Sequence, residues 1–149
     1  MHHNTYTIGG AEMSFQEWAK SVPENLKRDA LWQFDIYPKT LYLYDLVWED
    51  CERLLKDPRG RAITEQIIRS AGSVCANIEE GYGRGFGAEF AYFLRVSLGS
   101  ARETRGWYYR ARRLLAPKIL QERMQLLDEI IGALVNAAGY QKQRPKRKS

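Results

Sequence analysis

Four long segments of the chain repeat apolar residues at the spacing of one helical face. They begin near residues 38, 61, 87 and 117, and the last of them ends at Gly139. Pro38 suits the first turn of a helix, and Gly81 is a natural end for the second segment. Short connections join the segments, and no strand-like alternation accompanies them. The pattern predicts an all-α, up-down-up-down antiparallel four-helix bundle over residues 38–139.

Residues 1–37 form an aromatic-rich segment before the bundle, which we term the strap. Ser14 stands three residues before Glu17, a capping-box pattern that predicts a short helix over residues 14–22. The remainder of the strap mixes charges with aromatic residues, which favours packing on the outside of the bundle. At the other end, residues 140–149 form a basic tail that we expect to be disordered. The whole chain, residues 1–149, is expected to be a single domain.

The composition excludes several classes of protein. With 149 residues and 44% hydrophobic content, the chain is long and apolar enough to fold around one core. No apolar run approaches the roughly 20 residues that span a bilayer, and the first ten residues lack the features of a secretory signal. We therefore expect a cytoplasmic protein without a membrane partner, in which Cys51 and Cys75 are reduced core thiols.

Candidate catalytic and metal-binding groups are few. The histidines, His2 and His3, lie together at one end, so neither a histidine-based catalytic set nor a metal site can be assembled from them. The glycine run from Gly81 to Gly87 follows a helix and lacks the lysine of a P-loop, which favours a chain corner over a phosphate-binding loop. We expect no enzyme activity, catalytic residue, metal, cofactor or small-molecule substrate.

Positive charge is concentrated in two parts of the chain. Residues 82–118 carry eight basic and two acidic residues, and residues 142–149 carry five basic residues and no acid. One stripe of the third predicted helix presents arginines that can form bidentate hydrogen bonds with phosphates and a tyrosine that can stack on bases. The candidate nucleic-acid-binding residues are those of this stripe, Arg95, Arg102, Tyr109 and Arg113, and those of the tail, Lys142, Arg144, Lys146, Arg147 and Lys148.

A second polar feature follows the second predicted helix. Arg69, Ser73 and Glu80 form a line beside the apolar stripe, and Asn77 flanks that stripe. If these groups are buried they need partners, because an unpaired buried polar group costs about 1–3 kcal/mol. The line indicates a polar network at a second packing surface, and a solvated face is the open alternative. We further predict that Arg69 approaches Glu103 of the third helix, within or between protomers.

The stretch QIIRSAGSVCANIEEGYGRG, followed by FLRVSLGSARE, resembles the bacterial four-helix-bundle family of proteins encoded in 23S ribosomal RNA intervening sequences. It is also similar to the accessory variability determinant of diversity-generating retroelements. The match covers about residues 41–138 and rests on Arg69, Ser73, Asn77, Glu80 and Gly81, with Gly99, Ser100 and Glu103. The resemblance implies a four-helix protomer, a homo-pentameric ring and, for the retroelement protein, binding of nucleic acid and a reverse transcriptase. It implies no catalytic activity.

Two functions from different classes remain open from the sequence. The first is a non-enzymatic homo-oligomeric adaptor that binds RNA or DNA through the basic stripe and the tail. The alternative is a structural or protein–protein interaction module, in which the arginines pair with Asp45, Glu49 and Glu52 of a neighbouring protomer. A basic surface without counterions favours the first function, and a neutralised one favours the second.

Overall fold

The computed structural model describes residues 5–8 and 11–144, with side chains described from residue 13 onward. Most of this part of the chain is helical, and four of the helices are long. In chain order the elements are β1 (Thr5–Ile8), β2 (Ala11–Ser14), α1 (Phe15–Lys20), α2 (Glu24–Lys27), α3 (Ile36–Leu54), α4 (Pro58–Arg84), α5 (Ala88–Arg110) and α6 (Pro117–Gln143). Short 3-10 turns at Ala30–Gln33 and Arg112–Leu114 precede α3 and α6.

The strap begins with a hairpin that the sequence pattern did not reveal. β1 and β2 pair antiparallel, with Thr5 opposite Ser14. Strands of four residues are too short for alternation to stand out against a mixed background. The predicted capping box is confirmed, because the Ser14 hydroxyl accepts a hydrogen bond from the Glu17 N–H at 3.1 Å and the Glu17 carboxylate accepts one from the Ser14 N–H at 3.3 Å. The helix that it starts, α1, ends two residues before the predicted position.

The four long helices enclose the core. α3 contacts α4 and α6, and α5 contacts the same two helices. Their inward stripes are fully buried, as the predicted helical periodicity requires, and include Leu43, Leu46, Ile67, Ile78, Leu94, Leu127 and Ile130. The strap packs aromatic side chains on α3, where the Trp18 and Tyr42 rings lie 5.1 Å apart between centroids. One side of the bundle is thus covered by the strap.

The corner between α4 and α5 lies later in the chain than the sequence predicts. α4 continues past Gly81 to Arg84, so the prediction that Gly81 ends this helix is wrong. Gly81 is instead buried against α5, since a Cβ at this position would lie 2.5 Å from the Cβ of Phe93. The chain turns at Gly85 and Gly87, whose φ angles of +121° and +79° suit glycine. The glycine run is a chain corner, as predicted.

The end of α6 is also extended relative to the prediction. The helix passes Gly139 and ends at Gln143, so the first residues of the expected disordered tail are helical. The Gln141 side chain explains this, because its Oε1 accepts a hydrogen bond from the Gly87 N–H at 3.0 Å and ties α6 to the corner. Residues 145–149 lie outside the described residues.

Candidate nucleic-acid interface

Three of the predicted nucleic-acid-binding residues lie on one exposed face of α5. Arg95, Arg102 and Tyr109 follow one another at intervals of seven residues, so successive members lie about 10 Å apart along the helix. All three are exposed, and Tyr109 keeps 57% of its surface accessible. Neither arginine forms an ion pair with any residue that the structure describes. We refer to these three residues as the α5 stripe.

Neighbouring arginines are already paired or stacked. Arg105 forms an ion pair with Asp128 of α6 at 2.8 Å. Arg84 pairs with Glu80 at 2.6 Å. The Arg110 guanidinium lies over the Trp107 ring, 4.6 Å from its centroid. Against this background, the two arginines of the α5 stripe keep their charge available for an external group.

Arg113 does not continue the stripe. α5 ends at Arg110, and Arg113 belongs to the 3-10 turn that follows, so the helical repeat does not determine its position. The prediction of a four-residue stripe on one helix is wrong for this member. Its neighbour Arg112 lies over the Tyr109 ring at 4.2 Å from the centroid and donates a hydrogen bond to the Tyr109 carbonyl at 3.0 Å. A guanidinium therefore supports one face of this exposed aromatic ring.

The remaining predicted residues lie at the end of α6. Lys142 and Arg144 are exposed, and the Arg144 guanidinium lies over the Phe86 ring at 4.4 Å from its centroid. Lys146, Arg147 and Lys148 lie outside the described residues. Tyr92 is a further exposed aromatic residue of α5 that the sequence reasoning did not single out. Tyr92 could have been identified from the sequence by its position three residues before Arg95, because residues three apart are neighbours on a helix surface.

The predicted polar network forms in part, between α4 and α5. The Asn77 amide donates hydrogen bonds to the Ser73 carbonyl at 2.8 Å and to the Ser73 hydroxyl at 2.9 Å. The Ser100 hydroxyl of α5 donates to the Ser73 hydroxyl at 2.8 Å. Deeper along the same contact, the Ser70 and Thr104 hydroxyl oxygens lie 2.8 Å apart. We call this set of hydroxyl and amide contacts the hydroxyl seam.

The charged members of the predicted network lie outside the hydroxyl seam. Arg69 is exposed and donates a hydrogen bond to the Gln66 side chain at 3.0 Å. Glu80 pairs with Arg84, four residues later on the same helix. Glu103 is exposed, and no ion pair joins it to Arg69 within the described protomer. Both side chains are exposed and do not pair within one protomer, and an approach between protomers stays a prediction.

The structure contains a buried ionic cluster that the sequence reasoning missed. Arg123 of α6 is fully buried and binds the Asp50 carboxylate through two hydrogen bonds, of 2.7 and 3.0 Å. The Tyr108 hydroxyl donates to the same carboxylate at 2.7 Å. The sequence does contain a sign of this cluster, because Arg123 lies within the apolar stripe of the fourth helix, between Leu120 and Leu127.

Protonation in the ionic cluster follows from this burial. Burial alone would lower the pKa of the Arg123 guanidinium, but the hydrogen bonds and charge of Asp50 outweigh it, and the pKa is raised. Burial, followed by the negative charge of Asp50, raises the pKa of Tyr108 well above its ordinary value. The tyrosine therefore stays a neutral hydrogen-bond donor, and the arginine stays charged. The cluster connects α3, α5 and α6 through a single carboxylate.

Both thiols of the described chain are buried. Burial raises the pKa of both thiols, Cys51 and Cys75, to about 11, so both are protonated at neutral pH and are weak nucleophiles. No cluster of three potential metal ligands occurs among residues 5–8 and 11–144. Over the same ranges, none of the helices combines the length and apolar character needed to cross a bilayer.

The fold and these surfaces define the chain as a small helical-bundle protein with an exposed cationic stripe on one helix. The family model for the 23S rRNA-intervening sequence protein matches residues 33–136, and the chain belongs to this family. The resemblance to proteins encoded in such intervening sequences is confirmed. Similarity to the accessory variability determinant of retroelements stays a prediction from the sequence.

Among solved structures, the chain is similar to a protein of unknown function from the S23 ribosomal protein family of Bacteroides thetaiotaomicron. The TM-score is 0.63 at 23% identity, over 68% of this chain and 95% of that chain. At this identity the likeness shows the fold alone. A comparison with curated proteins finds no match. Residues 1–32, most of the strap, precede the family match.

Proposed function

We propose that this protein is a non-enzymatic cytoplasmic adaptor that assembles with copies of itself and binds nucleic acid through the α5 stripe. In this proposal its four long helices run up-down-up-down, and the family resemblance favours a pentameric ring. A reverse transcriptase, or another protein, is a candidate partner of the assembly. The single observation that carries the proposal is the exposure of Arg95 and Arg102 without an ion-pair partner in the described protomer.

The chemistry of the α5 stripe suits a nucleic-acid backbone. Two arginines about 10 Å apart along the helix axis can each bind a phosphate through paired N–H groups. Tyr109, supported on one face by Arg112, offers its exposed ring for base stacking. Tyr92 adds a second exposed ring three residues before Arg95. This mixture of cations and rings favours single-stranded nucleic acid over a duplex, because a duplex keeps its bases stacked on one another.

A salt titration in a filter-binding assay tests the proposal, with single-stranded RNA and duplex DNA as probes. The chain is shortened after Arg144, so that Gln141 keeps its contact with the corner while residues 145–149 are removed. In this background, Arg95→Ala and Arg102→Ala should each weaken binding and reduce the slope of log affinity against log salt by about 0.7 on RNA or about 0.9 on duplex DNA. Arg53→Ala is the matched control, because it removes an exposed arginine from α3.

The outcome of this titration separates the contribution of the α5 stripe from that of residues 145–149. Tyr109→Ala and Tyr92→Ala should weaken binding of the RNA more than binding of the duplex. If shortening the chain alone abolishes binding at low salt, the stripe is not a nucleic-acid site. If Arg53→Ala weakens binding as much as Arg102→Ala, the affinity reflects net charge and not the stripe.

Self-association is proposed for the outer surface of the hydroxyl seam. Arg69, Ala76 and Glu103 are exposed beside this seam and offer small and oppositely charged groups to a second protomer. Light scattering at micromolar concentration should give a mass well above 17.3 kDa. A single species of protomer mass across the concentration range would overturn self-association and would leave the test of the α5 stripe untouched.

The interaction-module alternative is favoured by a specific observation on α3. Asp45, Glu49 and Glu52 form no ion pair with described residues, so this acidic face could neutralise the arginines of a neighbouring protomer. In that case, Arg95→Ala and Arg102→Ala would lower the assembled mass in light scattering. Under the nucleic-acid proposal, the same variants leave the mass unchanged and affect only binding of the probes.

A further inference from the structure

The strap and α3 enclose two adjoining hollows that share one wall. Trp18 and Asp45 form the shared wall, and the Trp18 indole N–H donates a hydrogen bond to the Asp45 carboxylate at 2.7 Å. The first hollow, of about 280 Å³, is lined by Met13, Trp18, Ser21, Asp45, Trp48 and Glu49. The second, of about 220 Å³, extends from the same wall towards the end of α1. Both hollows depend on the strap, most of which precedes the residues matched by the family model.

The first hollow combines negative charge with an exposed aromatic ring. Its two carboxylates, Asp45 and Glu49, form no ion pair with any residue that the structure describes. The hydrogen bond from Trp18 holds Asp45 in place but is neutral, so it leaves the charge uncompensated. Trp48 stands beside them with 57% of its surface exposed. An arginine or lysine side chain fits these features, since carboxylates pair with its charge and an indole face attracts a cation.

The second hollow is mostly apolar. Val22, Leu26, Leu41 and Tyr44 line it, and Leu26 is 41% exposed. Because Trp18, Ser21 and Asp45 belong to both hollows, a ligand that fills the first hollow lies directly beside the second. Side chains two positions apart in an extended peptide point to the same side, so such a pair can enter both hollows together. A helix of a second copy would instead present residues three or four positions apart, and its occupancy is separated from that of a peptide by the oligomeric state.

We propose that these two hollows form a docking site for an extended segment of a partner protein that carries a basic residue two positions from an apolar one. The basic side chain lies against Trp48 between Asp45 and Glu49, and the apolar side chain fills the hollow lined by Leu26. Charge complementarity selects this occupant, because the unpaired carboxylates repel phosphate groups and acidic peptides. The site is distinct from the α5 stripe in both element and charge.

A peptide titration tests the proposal on the full chain. The Arg-Leu peptide is acetyl-Gly-Arg-Gly-Leu-Gly-amide, the Glu-Leu peptide has Glu in place of Arg, and the Arg-Gly peptide has Gly in place of Leu. Binding is followed through the indole N–H resonances of Trp18 and Trp48 in two-dimensional NMR spectra. The Arg-Leu peptide should shift both resonances, the Arg-Gly peptide should bind several-fold more weakly, and the Glu-Leu peptide should leave both resonances in place.

Single substitutions test the contribution of each hollow to peptide binding separately. Glu49→Gln and Trp48→Ala should each weaken the Arg-Leu peptide about two- to fivefold, as expected for one exposed charge pair or one cation–π contact. Glu52→Gln is the matched control, because Glu52 is exposed on α3 and lines neither hollow. Leu26→Ala should weaken the Arg-Leu peptide and leave the affinity of the Arg-Gly peptide unchanged.

Three results would overturn the proposal. The first is an absence of shifts for the Arg-Leu peptide up to about 10 mM, which excludes even very weak binding. The second is equal binding of the Arg-Leu and Glu-Leu peptides. The third is a loss of self-association in Glu49→Gln but not in Glu52→Gln, measured by light scattering, which would make a second copy of this chain the occupant.

Discussion

The bundle contains two polar clusters that are built in opposite ways. The ionic cluster joins three helices through one carboxylate, with Asp50 between Arg123 and Tyr108. The hydroxyl seam joins only α4 and α5 and uses small neutral groups. Several members of the seam also bond carbonyls, as the Ser70 hydroxyl does to the Ile67 carbonyl at 3.2 Å and the Thr104 hydroxyl to the Ser100 carbonyl at 2.8 Å.

This difference indicates where the fold tolerates change. A buried carboxylate that loses its arginine keeps an uncompensated charge, which is costly in an apolar interior. A hydroxyl that loses one partner still has a nearby carbonyl, so the loss is modest. The ionic cluster therefore selects one arrangement of three helices, whereas the hydroxyl seam permits close approach of two helices with little penalty. Four predictions test this comparison.

The largest effect is expected in the ionic cluster. Arg123→Met should lower the free energy of unfolding by about 3–5 kcal/mol, because Asp50 stays buried without its cation. Urea denaturation measures the loss. Arg105→Met is the control, since its exposed ion pair with Asp128 should contribute only about 0–1 kcal/mol. Adding Asp50→Leu to Arg123→Met should recover part of the loss, and equal losses in Arg123→Met and Arg105→Met would contradict this account.

The closeness of α4 and α5 beside the hydroxyl seam can be tested with two glycines of one helix. Gly81→Ala should destabilise the protein by about 1–3 kcal/mol, because its Cβ would meet the Phe93 Cβ at 2.5 Å. Gly83→Ala has no atom within 4 Å of its Cβ and should stabilise the protein by up to about 1 kcal/mol through helix propensity. Thermal denaturation of both variants shows directly whether each substitution stabilises or destabilises the protein. Destabilisation by both would mean that backbone freedom, and not packing, requires glycine here.

A smaller effect is expected from the hydroxyl seam itself. Ser73→Ala and Ser100→Ala should each cost about 0.5–1.5 kcal/mol, because each removes one side of a 2.8 Å hydrogen bond between α4 and α5. The double variant should lose less than the sum of the two, since the shared bond can be lost only once. A double-mutant cycle from urea denaturation measures this coupling. Strict additivity would show that the Ser73–Ser100 contact does not stabilise the fold.

The smallest effect is expected for Arg69 and Glu103. Each alanine substitution should change the free energy of unfolding by no more than about 0.5 kcal/mol at low protein concentration, and the two should be additive, because both side chains are exposed and unconnected. Repeating the cycle at high concentration sharpens the comparison. Coupling that emerges only there would assign the pair to a contact between protomers. Coupling at every concentration would contradict the geometry of the described protomer.

Local signals in the sequence were sufficient for the elements and for several of their ends. Apolar residues at helical spacing located the four long helices, because one face of each must leave water. The capping box at Ser14 and the corner within the glycine run also follow from local rules, since both depend on residues a few positions apart. The exposure of Arg95, Arg102 and Tyr109 follows in the same way from their position opposite the apolar face.

Partners that are distant in the chain could be identified only from the tertiary structure. Asp50 and Arg123 are separated by 73 residues, and only the packing of α3 against α6 brings their side chains together. The same holds for the Gln141 contact that extends α6 past its predicted end, and for the exposed positions that keep Arg69 from Glu103. The periodicity of apolar residues indicates which side of a helix is buried. It does not indicate which residue of another helix lies opposite, because the alignment of two helices depends on the packing of all four at once.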